Sequence, residues 1–87
     1  MARIVLVRSA RLALLRLDWL LIDAVEDALA LLGREPDAGY ELRGRLRGLR
    51  ALRVGSYRIL YQLTDDRRTV RVVAILHRSA AYRSDPR

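Results

Sequence analysis

Eighty-seven residues with a net charge of +7 make a chain long enough for one domain, residues 1–87, and too short for two. Just over half of the residues are apolar, so a core can form, yet there is no Cys and only one His, which excludes disulfides, thiol nucleophiles and a zinc site made of His and Cys alone. No run approaches the ~18 apolar residues of a membrane span, and Arg3 and Arg8 bracket an apolar stretch too short for a signal sequence, so a cytoplasmic protein without a membrane partner is expected.

In chain order, residues 3–7 are short and β-branched and predict a first strand. Ser9 suits a helix N-cap. Apolar residues then recur at Leu12, Leu15, Trp19, Ile22, Val25, Leu29 and Leu32, in helical steps that predict one buried stripe. Asp18 is placed to cap a second helix, which gives a helical hairpin broken near Leu17-Asp18; one continuous helix is the alternative. Gly33 and Pro36 mark the stop. A polar connection follows over residues 34–48. Leu49–Val54 predicts a strand, Gly55-Ser56 a tight turn, Tyr57–Thr64 an alternating strand, Asp65–Arg68 a turn, and Thr69–Leu76 a central strand. Ser79–Tyr82 suits one helical turn, and the last four residues a frayed tail. The predicted fold is α+β: a β-α-α-β-β-β chain whose N-terminal helical hairpin packs on a small, mainly antiparallel four-stranded sheet.

Every basic residue is Arg, and the charge is uneven. Residues 1–37 carry five Arg and six acids, whereas residues 38–87 carry twelve Arg and four acids. Arg grips phosphate with a planar fork and cannot accept a proton near neutral pH. Arg43, Arg45, Arg47, Arg50 and Arg53 fall within eleven residues. In a strand Arg43, Arg45 and Arg47 would share a face, and such a row suits phosphates. An acidic protein partner would satisfy the same electrostatics. Arg58 sits in an apolar-rich strand and requires either a groove or an internal partner, Glu41 or Asp65. His77 follows the last strand and titrates near neutral pH, which fits it for acid–base work or for a structural role. Arg78 and Tyr82 are four residues apart and would share a face of a helical turn; Tyr82 could stack on a base. There is no phosphate loop, no nucleotide fingerprint and no carboxylate cluster suited to Mg²⁺. RNA cleavage by such a chain is expected to need no metal or other cofactor: the 2′-hydroxyl would attack the adjacent phosphate, with Arg stabilising the developing charge.

The run Leu52-Arg53-Val54-Gly55-Ser56-Tyr57-Arg58-Ile59-Leu60-Tyr61-Gln62-Leu63, an acidic turn, Val70–Leu76, then His77-Arg78 and Tyr82-Arg83 resembles the RelE/ParE toxin superfamily of bacterial toxin–antitoxin modules. The order of elements extends the likeness over the whole chain, and the His-Arg-(three residues)-Tyr ending is closer to the RelE branch. That branch cuts mRNA in the ribosomal A site; the ParE branch poisons DNA gyrase. The resemblance implies that Arg58, Arg78 and Tyr82 surround the scissile phosphate; Arg is a poor base, so His77, Tyr82 or the ribosome is left to move the proton. It implies RNA-binding roles for basic residues on the preceding segment, here Arg45, Arg47, Arg50 and Arg53, although Leu49 and Ala51 stand where relatives often carry two of them. It also implies a cognate antitoxin, usually acidic where it binds, through which operator DNA is contacted. A gyrase inhibitor and an inactive binding-only homologue are the alternatives.

Overall fold

A strand's alternation assigns its residues to two faces, and cross-strand register decides which face meets the helices. The computed structural model describes residues 1–64 and 66–79. Its elements are β1 (Arg3–Leu6), α1 (Arg8–Leu15), α2 (Trp19–Arg34), β2 (Tyr40–Glu41), a 3₁₀ turn at Gly44–Leu46, β3 (Arg50–Val54), β4 (Tyr57–Leu63) and β5 (Thr69–His77). The strands form one sheet in the order β1-β5-β4-β3-β2, with β1 parallel to β5 and the other pairs antiparallel. The α+β class agrees with the expectation. The sheet gains a fifth strand, β2, whose two residues are too few for alternation to reveal.

Both helices lie on one face of this sheet, α1 against β5 and α2 against β1 and β3. Val25, Leu29 and Leu32 of α2 are buried with Val54, Ile59, Tyr61, Val70, Val72 and Ile75. Each fully buried aliphatic side chain stabilises the fold by about 1.5–3 kcal/mol. Asp18 caps α2, accepting from the Leu21 N–H at 3.1 Å. The expected continuous stripe is not continuous. Leu12, Leu15 and Trp19 are 46%, 67% and 71% exposed; α1 turns Ala10, Ala13 and Leu14 inward instead, and Leu17 in the connection after it joins them. The chain breaks between the helices, so each sets its own helical phase. Nor is Ser9 the cap: α1 starts at Arg8, with Val7 as a cap that makes no side-chain hydrogen bond.

A β-bulge interrupts β5. Leu60 pairs with Ala74 and Tyr61 with Val72, so Val73 is an extra residue. Val70 and Val72 face the helices before the bulge, and Ile75 faces them after it. Without the extra residue Ile75 would point away from the core. Arg43, Arg45 and Arg47 lie in the expected connection and not in a strand, so the shared strand face open to them is not formed. Gly44 and Gly48 have φ of 68° and 96°, a left-handed backbone that breaks extended structure, and β3 begins at Arg50.

The segment between α2 and β2 is fixed from below. The Tyr61 side chain is fully buried, and its hydroxyl donates to the Pro36 carbonyl at 2.7 Å and accepts from the Gly39 N–H at 3.0 Å. Gly39 is obligatory here, since a Cβ would lie 2.6 Å from the Ala51 carbonyl and 2.7 Å from the Tyr61 hydroxyl. Tyr61→Phe leaves a buried N–H and a carbonyl unpaired and is expected to cost about 1–3 kcal/mol; a denaturant midpoint equal to that of the parent protein would contradict this.

Candidate functional site

The face of the sheet away from the helices carries the basic cluster. Arg53 on β3 pairs directly with Arg58 on β4, so their side chains leave the sheet on the same face. Arg58 in turn pairs with Leu76 near the end of β5. The Arg78 N–H donates to the Ser56 carbonyl at 2.7 Å and ties the chain beyond β5 to the Gly55-Ser56 turn. The result is a cleft of about 290 Å³ lined by Arg53, Gly55, Ser56, Tyr57, Arg58 and Arg78. Guanidinium groups from three separate segments share its wall. Like charges opposed across strands destabilise a sheet, and a phosphate placed among them converts repulsion into charge-assisted hydrogen bonding.

Arg58 Nη1 donates to the Tyr40 hydroxyl at 3.0 Å. Arg58 therefore meets a phenol and not Glu41; Asp65 lies outside the described residues. Tyr40 reaches this face because it pairs with Ala51, two residues before Arg53. Burial pushes its phenol up, but hydrogen bonds and charge from Arg58 and Arg53 outweigh this, leaving it below the ordinary tyrosine value.

His77 is not brought to the cleft. It pairs with Tyr57, whose ring packs against the core, and the two rings meet edge to face at 5.0 Å. Its Nδ1 lies 2.9 Å from Ser79 Oγ and accepts from the Ser79 N–H. The β5 bulge is the cause, since it turns His77 to the helix side while Leu76 faces the cleft side. Arg50 also leaves the expected RNA-binding set. Three residues before Arg53, it projects to the opposite face and donates to the carbonyls of Gly39 at 2.7 Å and Asp37 at 3.3 Å. Arg45 and Arg47 are exposed on and just after the 3₁₀ turn and do not line the cleft. Tyr82 lies outside the described residues. Among those described, no helix is long and apolar enough to cross a membrane.

The family model for the ParE toxin of type II toxin–antitoxin systems, parDE, matches residues 6–82. The chain belongs to this toxin family. Two curated relatives, both from Mycobacterium tuberculosis, carry the RelE side of the superfamily. Toxin RelE is 39% identical over 56 residues, which are 64% of this chain and 58% of that protein. Toxin RelG is 40% identical over 65 residues, 74% of this chain and 75% of that one. A chain of the M. tuberculosis RelBE2 toxin–antitoxin complex superposes with a TM-score of 0.81 at 33% identity, covering 88% of this chain and 98% of its own. The isolated Escherichia coli RelE toxin shares the fold, with a TM-score of 0.76 at 20% identity over 97% of this chain and 94% of its own.

One residue of this toxin's cluster escapes sequence reasoning. Tyr40 is a lone aromatic in a polar connection, and nothing in its neighbours marks it as a strand residue. Only Gly39 beside it hints at a close backbone approach, the feature that holds Tyr40 at the sheet edge.

Proposed function

We propose that this toxin is an endoribonuclease that cleaves mRNA in the ribosomal A site, with Arg58 and Arg78 holding the scissile phosphate. The observation that carries the reading is the convergence of Arg53, Arg58 and Arg78 on one cleft. In the proposed reaction the RNA 2′-hydroxyl attacks the adjacent phosphorus and the 5′-oxygen leaves. Negative charge grows on the non-bridging oxygens, and fixed guanidinium donors already aimed at that point lower the barrier without reorganising; loss of one such donor typically costs about 10²–10³ in rate. Arg53 completes the cluster at the β3 side, and Arg45 and Arg47 extend the positive surface beyond it for the RNA backbone. Tyr82 is assigned to the same phosphate on the resemblance alone. The names of the curated relatives support the RelE-type reading. A gyrase inhibitor is the second reading, favoured by the ParE description of the matching family.

The reading includes an antitoxin that occludes the cleft in the resting state and through which operator DNA is reached. Its support is a superposable chain within a toxin–antitoxin complex, together with an apolar surface of this chain. Leu12, Leu15, Trp19 and Leu20, the last 63% exposed, flank the hairpin turn with Arg8, Arg11 and Arg16 interspersed. Such a surface fits an amphipathic segment with acidic flanks.

Primer extension on translated mRNA tests the chemistry. Arg58→Ala and Arg78→Ala are each expected to lower cleavage by about 10²-fold or more; full activity in both contradicts the assignment, and intact mRNA with broken chromosomal DNA selects the gyrase reading. For the partner, the product of the adjacent reading frame is titrated against Trp19→Ser. Affinity is expected to fall by about 2 kcal/mol or more with mRNA cleavage unchanged, and equal affinity removes the hairpin from the interface.

A further inference from the structure

A cluster of guanidinium groups stabilises charge but takes no proton, and an attacking 2′-hydroxyl must lose one. The lining of the cleft contains three Arg, a Gly, a Ser and Tyr57. Tyr57 turns its ring to the core face, a Ser hydroxyl is a weak base, and His77 lies on the opposite side of the sheet. Among the described residues, the remaining group in reach is the Tyr40 hydroxyl, 3.0 Å from Arg58 Nη1.

Resting on the ribonuclease reading, we propose that the Tyr40 phenol oxygen is the proton acceptor for the attacking 2′-hydroxyl. The placement follows from register. Tyr40 pairs with Ala51, and Arg53, two residues on, pairs with Arg58, so all three functional side chains leave the sheet on one face. Arg58 is a fork. One Nη1 hydrogen bond goes to the phenol, and its remaining N–H groups are of the kind that grip a phosphate oxygen. A phosphate held there brings its own ribose within hydrogen-bonding range of the phenol, the reach that a general base requires.

The surroundings favour the ionised phenol. Arg58 from β4 and Arg53 from β3 face it, and both lower its proton affinity against the opposing effect of burial. Glu41, its neighbour on β2, pairs with Arg50 and belongs to the opposite face. The step balances as follows. The phenolate oxygen takes the 2′ proton as the bond from O2′ to phosphorus forms. The bond from phosphorus to O5′ breaks, its electron pair stays on O5′, and O5′ takes a proton from water. The products are a 2′,3′-cyclic phosphate and a 5′-hydroxyl, and the phenol then returns its proton to solvent. Tyr40 also accounts for how a chain with Leu49 just before β3 and Ala51 on it would still move a proton.

The test is single-turnover cleavage on mRNA-programmed ribosomes across pH for the parent protein, Tyr40→Phe and Arg58→Ala, with the phenol titrated by ultraviolet difference between parent and Tyr40→Phe. The expected result is a Tyr40→Phe rate lower by about 10²–10⁴-fold. The parent's rise in rate with pH should follow the measured phenol titration and be absent from the variant. That titration should lie below ordinary tyrosine and move up in Arg58→Ala. A Tyr40→Phe rate within about twofold of the parent's, as judged against the smallest effect of a general base, overturns the proposal. So does a slower variant that keeps the parent's pH profile, because Tyr40 then only positions Arg58. An inert parent protein overturns the ribonuclease reading itself, and a fully active Arg58→Ala overturns the placement of the phosphate on Arg58.

Discussion

The placement of Arg53, Arg58 and Arg78 around one cleft is the constraint on which the rest of the site depends. Two unit charges 4 Å apart oppose each other by about 1 kcal/mol in water and by more as the surroundings become less polar. Flexible Arg side chains relieve such repulsion by splaying into solvent. Here their backbones are pinned: Arg53 and Arg58 by a directly paired hairpin, Arg78 by a backbone hydrogen bond to the turn of that hairpin. The backbone positions of the three Arg are therefore fixed around one cleft by the sheet and its turn.

The pinning begins in the core. Val54, Ile59 and Tyr61 are buried on the helix side of the strands whose other face carries Arg53 and Arg58. Tyr61 then reaches past the core to hold Pro36 and Gly39 with its hydroxyl. Arg50 clamps the same segment through two carbonyls, and Asp37 within it forms an ion pair with Arg67. These contacts converge on the four residues before Tyr40 and so fix the phenol that meets Arg58. Arg50 and Arg53 are three apart and chemically identical, yet strand parity makes one a structural clamp and the other a wall of the cleft.

Much of this was legible from residue order. The paired apolar surfaces of hairpin and sheet predict the α+β layout, and Arg58 and Arg78 stand out by spacing and by resemblance. What escaped is what depends on local irregularity. One extra residue at Val73 reverses the side on which His77 emerges, and no composition rule announces a bulge. Two-residue β2 is too short for periodicity, so Tyr40 was invisible. Two glycines with left-handed backbone keep Arg43, Arg45 and Arg47 out of extended structure, so the row a strand would give them is absent. The apolar spacing runs on through residues 16–18, where α1 ends and the helical phase is reset, so spacing alone does not reveal which apolar residues are buried.

The central claim is that a few particular guanidinium groups, and not the excess positive charge as a whole, hold the RNA backbone. It is tested most directly by the salt dependence of binding to a short single-stranded RNA carrying 2′-deoxyribose at the scissile position. Removing one phosphate contact reduces the slope of log affinity against log salt by about 0.7. The account predicts that loss for Arg53→Ala, and no change in slope for Arg34→Ala at the end of α2. Equal slopes for both variants would contradict it and mean that the charge acts as a diffuse field.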